Sequence, residues 1–211
     1  MRVLSRLVLL VLVPAMLAQP AGATSLARLS VEQMTDASDL VVRGEVVAID
    51  TDVDDRGQVV SHAEIRVAEG LKGHVSAGDH VTVETPGGAL ETYVARVDGA
   101  ARYSVGEQVF VFLSEKRGGT SYGTVGMFLG KYTVKQDPRT GADMAVQFTV
   151  PWGQVYDARF IPNPPASERL GAATLADRVR ARVTAGWDGE PIPGADPARL
   201  RQINSLQPGV R

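Results

Sequence analysis

From Asp39 to about Val150, polar and apolar positions alternate in short runs divided by Gly, Pro and Asp. A period of two with closely spaced turn residues predicts an antiparallel β-barrel or sandwich, and no helix-length window interrupts it. In the first run Leu40, Val42, Gly44, Val46 and Ala48 share one face. The second is cleaner: Val59, Ala63, Ile65 and Val67 face inward while His62, Glu64 and Arg66 alternate toward solvent. Residues Asp50 to Gly57 form the hairpin between them. A third run, Asp79 to Thr85, turns inward Val81 and Val83, and Pro86-Gly87-Gly88 then leads into a predicted fourth strand carrying Leu90, Tyr93, Val94 and Val97. Val109-Phe110-Val111-Phe112-Leu113 is apolar on both faces, which suits a central strand covered on each side. Tyr122 to Val125, Leu129 to Gln136 and Met144 to Val150 bring the total to about eight strands.

The flanks read differently. Arg2 and Arg6, the apolar run Leu7 to Ala18, and Ala21-Gly22-Ala23 have the layout of a secretory signal peptide over residues 1 to 23. The mature chain is therefore expected to be exported, periplasmic or extracellular, with the barrel domain over residues 24 to 150. Ser30 with Gln33 three residues on, and Leu29 placed to staple to Met34, predict a short helix reaching about Ser38. After the barrel, Pro151, Pro162, Pro164 and Pro165 predict an extended strap, because proline lacks the amide a ladder needs. Thr174 is placed to cap a helix in which Leu175, Val179 and Val183 form one apolar stripe, with Arg178, Arg180 and Arg182 off it. From Gly186 a Pro- and Gly-rich tail is expected to be flexible, with one more helical turn at Pro197 to Ile203. The fold class is thus mainly β: an antiparallel barrel or sandwich of about eight strands with a short N-terminal helix and a C-terminal helical appendage.

Charge and composition narrow the function classes. The chain of 211 residues carries a net charge of −2, and without Arg2 and Arg6 the balance is 20 basic against 24 acidic side chains. Bulk neutralisation of nucleic-acid phosphates is disfavoured. There is no cysteine, so disulfide scaffolds, thiol nucleophiles and thiolate metal sites are excluded. No second long apolar run follows the leader, so no membrane span is expected.

The runs Ala37 to Val47, Val67 to Gly73, Gly78 to Val83, Pro86-Gly87-Gly88, Tyr103 to Leu113 and Gly130 to Val134 follow one another in a familiar order. Together they resemble an uncharacterised group of exported bacterial β-barrel domains, OB-like in outline, some of which accompany matrixin-type zinc proteases. The resemblance spans about Ser30 to Val150 and implies a fold, a mainly β, antiparallel OB-like barrel of about eight strands with a short N-terminal helix and a C-terminal helical appendage, rather than an activity. More loosely, the chain is similar to the OB-shaped tissue inhibitors of metalloproteases, which present an N-terminal cysteine to the enzyme's zinc. Thr24 stands at the new N-terminus here, so that mechanism does not carry over.

Few residues suggest chemistry. Asp50, Asp52 and Asp54 have the alternate spacing of an EF-hand calcium loop, but Asp55 falls where glycine is needed and Ser61 where a bidentate glutamate is needed. A solvated hairpin tip is the favoured reading. Of His62, His74 and His80, the first and last stand on polar strand faces with Glu64 and Glu84, and direct pairing of those strands is the one route to a zinc site or an acid/base pair. Ser61 and Ser104 lack a nucleophile elbow. Gly123, Gly126 and Gly130 read as sheet bends, and Glu84 with Glu91 as solvated acids rather than a sugar-cleaving pair. Trp152, Tyr156 and Phe160 recur every four residues in the strap, as a lid over the barrel or as a partner-binding surface.

These readings assign no catalytic, cofactor-binding or metal-binding residue. They lead to the expectation of a non-enzymatic exported module that binds a protein or envelope ligand, with Trp152, Tyr156 and Phe160 as candidate partner contacts. Its alternatives are an accessory or inhibitor of a secreted metalloprotease and a secreted hydrolase with a histidine and carboxylate site.

Overall fold

The computed structural model describes residues 26–116, 118–147, 155–156 and 168–205. The proposed leader, Trp152, Phe160 and the side chain of Tyr156 lie outside the described residues. A two-residue strand, β1 (Leu26–Ala27), precedes helix α1 (Val31–Asp36). Ser30 caps α1 as its spacing predicts. Its Oγ accepts the Gln33 amide at 3.1 Å, and Gln33 Oε1 accepts the Ser30 amide at 3.0 Å, a reciprocal capping box.

Next come β2 (Leu40–Val53), β3 (Val59–Lys72), β4 (His80–Pro86), the two-residue strands β5 (Gly88–Ala89) and β6 (Val94–Ala95), then β7 (Gln108–Glu115) and β8 (Tyr122–Thr124). Five of these close a barrel in the order β2, β3, β4, β8, β7 and back to β2. Every pairing in it is antiparallel except β4 with β8, where Val83 lies opposite Tyr122. A 3₁₀ turn (Met127–Gly130) leads into β9 (Lys131–Gln136), followed by β10 (Asp143–Gln147), β11 (Val155–Tyr156) and β12 (Arg169–Gly171). Strands β9, β10 and β12 extend the sheet outward from β7, while β11 pairs with β1. The eight-stranded sheet is therefore present, and five of its strands form the ring.

Two cores explain why β7 is apolar on both faces. Val109, Val111 and Leu113 point into the barrel with Val42, Ile65 and Val83. Phe110 and Phe112 point the other way, into a second cluster with Met34, Tyr132, Leu175 and Val179. All five β7 residues are completely buried. That second cluster is closed by α2 (Ala172–Ala185) and α3 (Pro197–Ser205). Leu175 and Val179 carry the predicted stripe, and burying such side chains is worth about 1.5–3 kcal/mol each.

The structure corrects four details. Ala48, expected inward, is exposed, because a bulge between Val46 and Ala48 shifts the register and puts Ile49 opposite Ala63. The predicted fourth strand leaves the barrel: Gly87 and Gly88, at φ 89° and 155°, turn the chain out into a flap built on the β5–β6 pair. Thr174 does not cap α2. Gly171 is still paired with Met144 when the chain leaves the sheet, so the helix starts at Ala172 and Thr174 already lies inside its first turn. In the described part of the tail, up to residue 205, Ile192, Leu200 and Ile203 are buried, so this stretch packs on the domain where a flexible tail was expected.

Among the described residues no helix is long and apolar enough to cross a membrane.

Candidate ligand-binding site

Ejecting residues 87–104 from the sheet leaves the end of the barrel next to the β2–β3 hairpin covered by a flap instead of a strand. The flap is pinned at its ends. The Gly87 amide donates to the Val59 carbonyl at 2.8 Å, and Ser61 Oγ donates to the Gly87 carbonyl at 2.8 Å. At the far end the Phe128 amide donates to the Gly99 carbonyl at 3.0 Å, and Lys131 Nζ donates to the Arg102 carbonyl. Between these anchors the tip is held by its own β5–β6 hydrogen bonds.

Beneath the tip lies a cleft of about 240 Å³, walled by inward-facing barrel positions such as Ala63 and Thr85 and by Ile49, Val94, Val97 and Tyr103. Three of the six large exposed apolar side chains among the described residues line it, Ile49 at 37%, Val94 at 58% and Val97 at 39% exposed; Tyr93, 55% exposed, adjoins Val94 on the flap, while Val53 and Val105 lie outside the cleft lining. A second cleft of about 530 Å³ shares Arg96, Val97 and Ala100–Arg102 as a common wall and runs along β9.

The second cleft is charged, and part of that charge is internally spent. Lys131 is 7% exposed and donates to Glu107 Oε1 and Oε2 at 2.6 and 2.8 Å. It also sits 4.9 Å from the centre of the Tyr103 ring. Burial lowers the Lys131 pKa, Glu107 opposes that, and nearby Lys135 adds to the lowering. Thr133 Oγ1 donates to Glu107 at 2.5 Å, and the Tyr103 hydroxyl meets Thr124 Oγ1 at 2.9 Å. Burial pushes the Tyr103 pKa up, so it stays a neutral phenol.

The histidine face forms on the outside of β3 and β4, and it does bring together residues the sequence singled out. His62 lies opposite Glu84 in register, with Nε2 3.7 Å from Oε2 and Nδ1 3.9 Å from Asp52 Oδ1. His80 pairs instead with Glu64 at 2.5 Å. The two histidines thus take different carboxylates. Glu84 also accepts from Lys116 at 2.5 Å and from Ser121 at 3.1 Å, and the Lys116 contact chiefly holds its carboxyl below the ordinary range. Among the described residues no group of three His, Asp or Glu side chains is placed to hold a metal ion.

In the acidic hairpin, Asp54 Oδ1 accepts the Arg56 and Gln58 amides at 2.9 and 2.8 Å, which closes the turn. Its carboxylate is a structural acceptor there. His74 and Glu91 are exposed on separate loops. No protein-family model matches this chain, and comparison with curated proteins finds no match either.

Sequence reasoning missed the flap as a site because Tyr93, Val94 and Val97 were counted as strand residues. The available signal was their spacing. Val94 and Val97 are three apart, which no strand can turn to one face, and Asp98-Gly99 follows at once.

Proposed function

We propose that this protein is an exported, non-enzymatic β-barrel module that binds a protein or envelope ligand, and that the ligand seats at the barrel mouth beneath the flap. The observation that carries this reading is the exposed apolar lining of an open cleft, Ile49, Val94 and Val97, with exposed Tyr93 next to Val94 on the flap. Apolar patches rimmed by polar groups on a protein surface mark interaction sites, and the mouths of β-barrels are frequent ligand pockets. The strap aromatics Trp152, Tyr156 and Phe160 remain candidate partner contacts in this proposal.

The hydrolase alternative is weaker on geometry. A proton relay needs one base oriented by one acid beside a nucleophile, whereas His62 and His80 engage separate acids on an open strand face. The metalloprotease alternative rests on resemblance alone.

A photo-crosslinking amino acid placed at Tyr93 or Val94 tests the reading in cells that produce the protein. We expect a defined adduct from both positions and none from Arg139, on the β9–β10 turn. Equal labelling at all three positions would remove the flap from consideration as the binding surface. Export is checked by the mass of the protein recovered outside the cytoplasm, expected to begin near Thr24.

A further inference from the structure

We propose that the mouth takes a small amphipathic organic anion, its apolar body in the cleft beneath Val94 and Val97 and its acid group on Arg96, Arg102 and Lys135. The inference rests on the proposed mouth site and specifies its ligand. The larger cleft has two kinds of charge. Lys131 and Glu107 cancel each other at 2.6 Å, and Glu107 is further occupied by Thr133 and by the Ser104 amide at 3.1 Å. Arg96, Arg102 and Lys135 make no ion pair with any described residue, and Asp98 is the one other acid in the wall. Three unspent cations against one acid give a local positive excess on a chain whose net charge is −2. A guanidinium can clasp a carboxylate or phosphate through two parallel donors, and two of them stand on the shared wall.

The apolar half is equally specific. The first cleft adjoins the same wall and presents Ile49, Ala63, Val94, Val97 and the Tyr103 ring. A ligand bridging the two must therefore be apolar at one end and acidic at the other. The size favours one small molecule over a bilayer surface: about 530 Å³ lies inside the roughly 300–1,000 Å³ range of small-ligand pockets.

The test titrates the purified full chain with 8-anilinonaphthalene-1-sulfonate, a fluorescent aromatic anion, with decanoate as competitor. We expect one site per chain, displacement by decanoate, and no displacement by decanol at equal concentration. The R102E/K135E double variant should bind about tenfold or more weakly, as loss of charge-assisted contacts requires, with circular dichroism and melting unchanged. Val97→Asp should abolish decanoate competition by placing a charge in the apolar half. Equal competition by decanol, or undiminished binding by the double variant, overturns the proposal. So does co-sedimentation with phosphatidylglycerol vesicles that decanoate fails to reverse, which would indicate docking on a membrane surface. A protein adduct from Tyr93 or Val94 without probe binding would refute the anion while leaving the mouth as the binding site; absence of both would refute the two together.

Discussion

Lys72, at the end of β3, is 5% exposed, and its Nζ donates to the Thr35 carbonyl at 2.7 Å. Burial lowers its pKa to about 8 from an ordinary value of 10.5, against the opposing pull of Asp36 and Asp39. Below about pH 8 the folded protein must hold a cation that the unfolded chain would keep solvated. Between about pH 8 and 10.5 the unfolded state binds the proton and the folded state has released it, so stability rises with pH over that window. At 1.36 kcal/mol per pKa unit, the gain from this one group between pH 7 and pH 10 is about 2.5 kcal/mol. The perturbation is Lys72→Met, which keeps the length of the buried stem and removes the titrating group. Urea unfolding of both proteins at pH 7, 8, 9 and 10 gives the difference directly. Tyrosines and surface lysines titrate in both, so their contribution cancels in the comparison. We expect the wild-type protein to gain about 2.5 kcal/mol relative to the variant over this range, whatever the offset between the two at pH 7. Parallel pH profiles for the two proteins would refute the reasoning, because they would mean that Lys72 keeps an ordinary pKa in the fold.

Three further outcomes follow from the packing. Arg182 makes bonds of 2.7–2.9 Å to Asp36, whose side chain is 4% exposed, so Arg182→Ala should cost about 3 kcal/mol in urea unfolding; Lys72 beside the orphaned acid keeps the loss at the low end, and a loss below about 1 kcal/mol would contradict burial of the pair. A Cβ at Gly44 would run into the Arg66 carbonyl oxygen and come within 2.8 Å of the Ile65 side chain, so Gly44→Ala should destabilise by about 3 kcal/mol, read as a lowered melting temperature. Ser30→Ala removes half of the capping box on α1 and should cost about 1 kcal/mol by the same unfolding assay, with no effect on ligand binding at the mouth.

Ion pairs from α2 and α3 to α1, to the start of β2 and to β3 explain how the appendage is tied down. Arg178 meets Glu32 at 2.8 Å, Arg180 meets Glu69, and Arg199 meets Asp39 at 2.9 Å. The sequence placed the first two arginines off the apolar stripe without partners, since the acids they meet are more than a hundred positions away. Such exposed or half-exposed pairs add little each, and their main effect is orientation of α2 and α3.

What the chain alone determined is whatever depends on neighbours in sequence. Alternation at Val59 to Val67 marked the buried face of β3, Ser30 and Gln33 marked the start of α1, and an unbroken apolar run marked β7 as covered on both sides. Each follows from local periodicity or a local hydrogen bond, and a mainly β class, barrel or sandwich, follows from their order. The tertiary structure alone decided which strands close the ring, because β4 meets β8 through a parallel contact between Val83 and Tyr122, far apart in sequence. It also decided that Gly87 and Gly88 send residues 88–104 out as a flap, where a period-two reading expected a strand. The proposed site arises from that departure: Ile49, Val97 and Arg102 share one groove only because a bulge in β2, a positive-φ turn and the Lys131 anchor converge at one end of the barrel, and no local pattern encodes such a convergence.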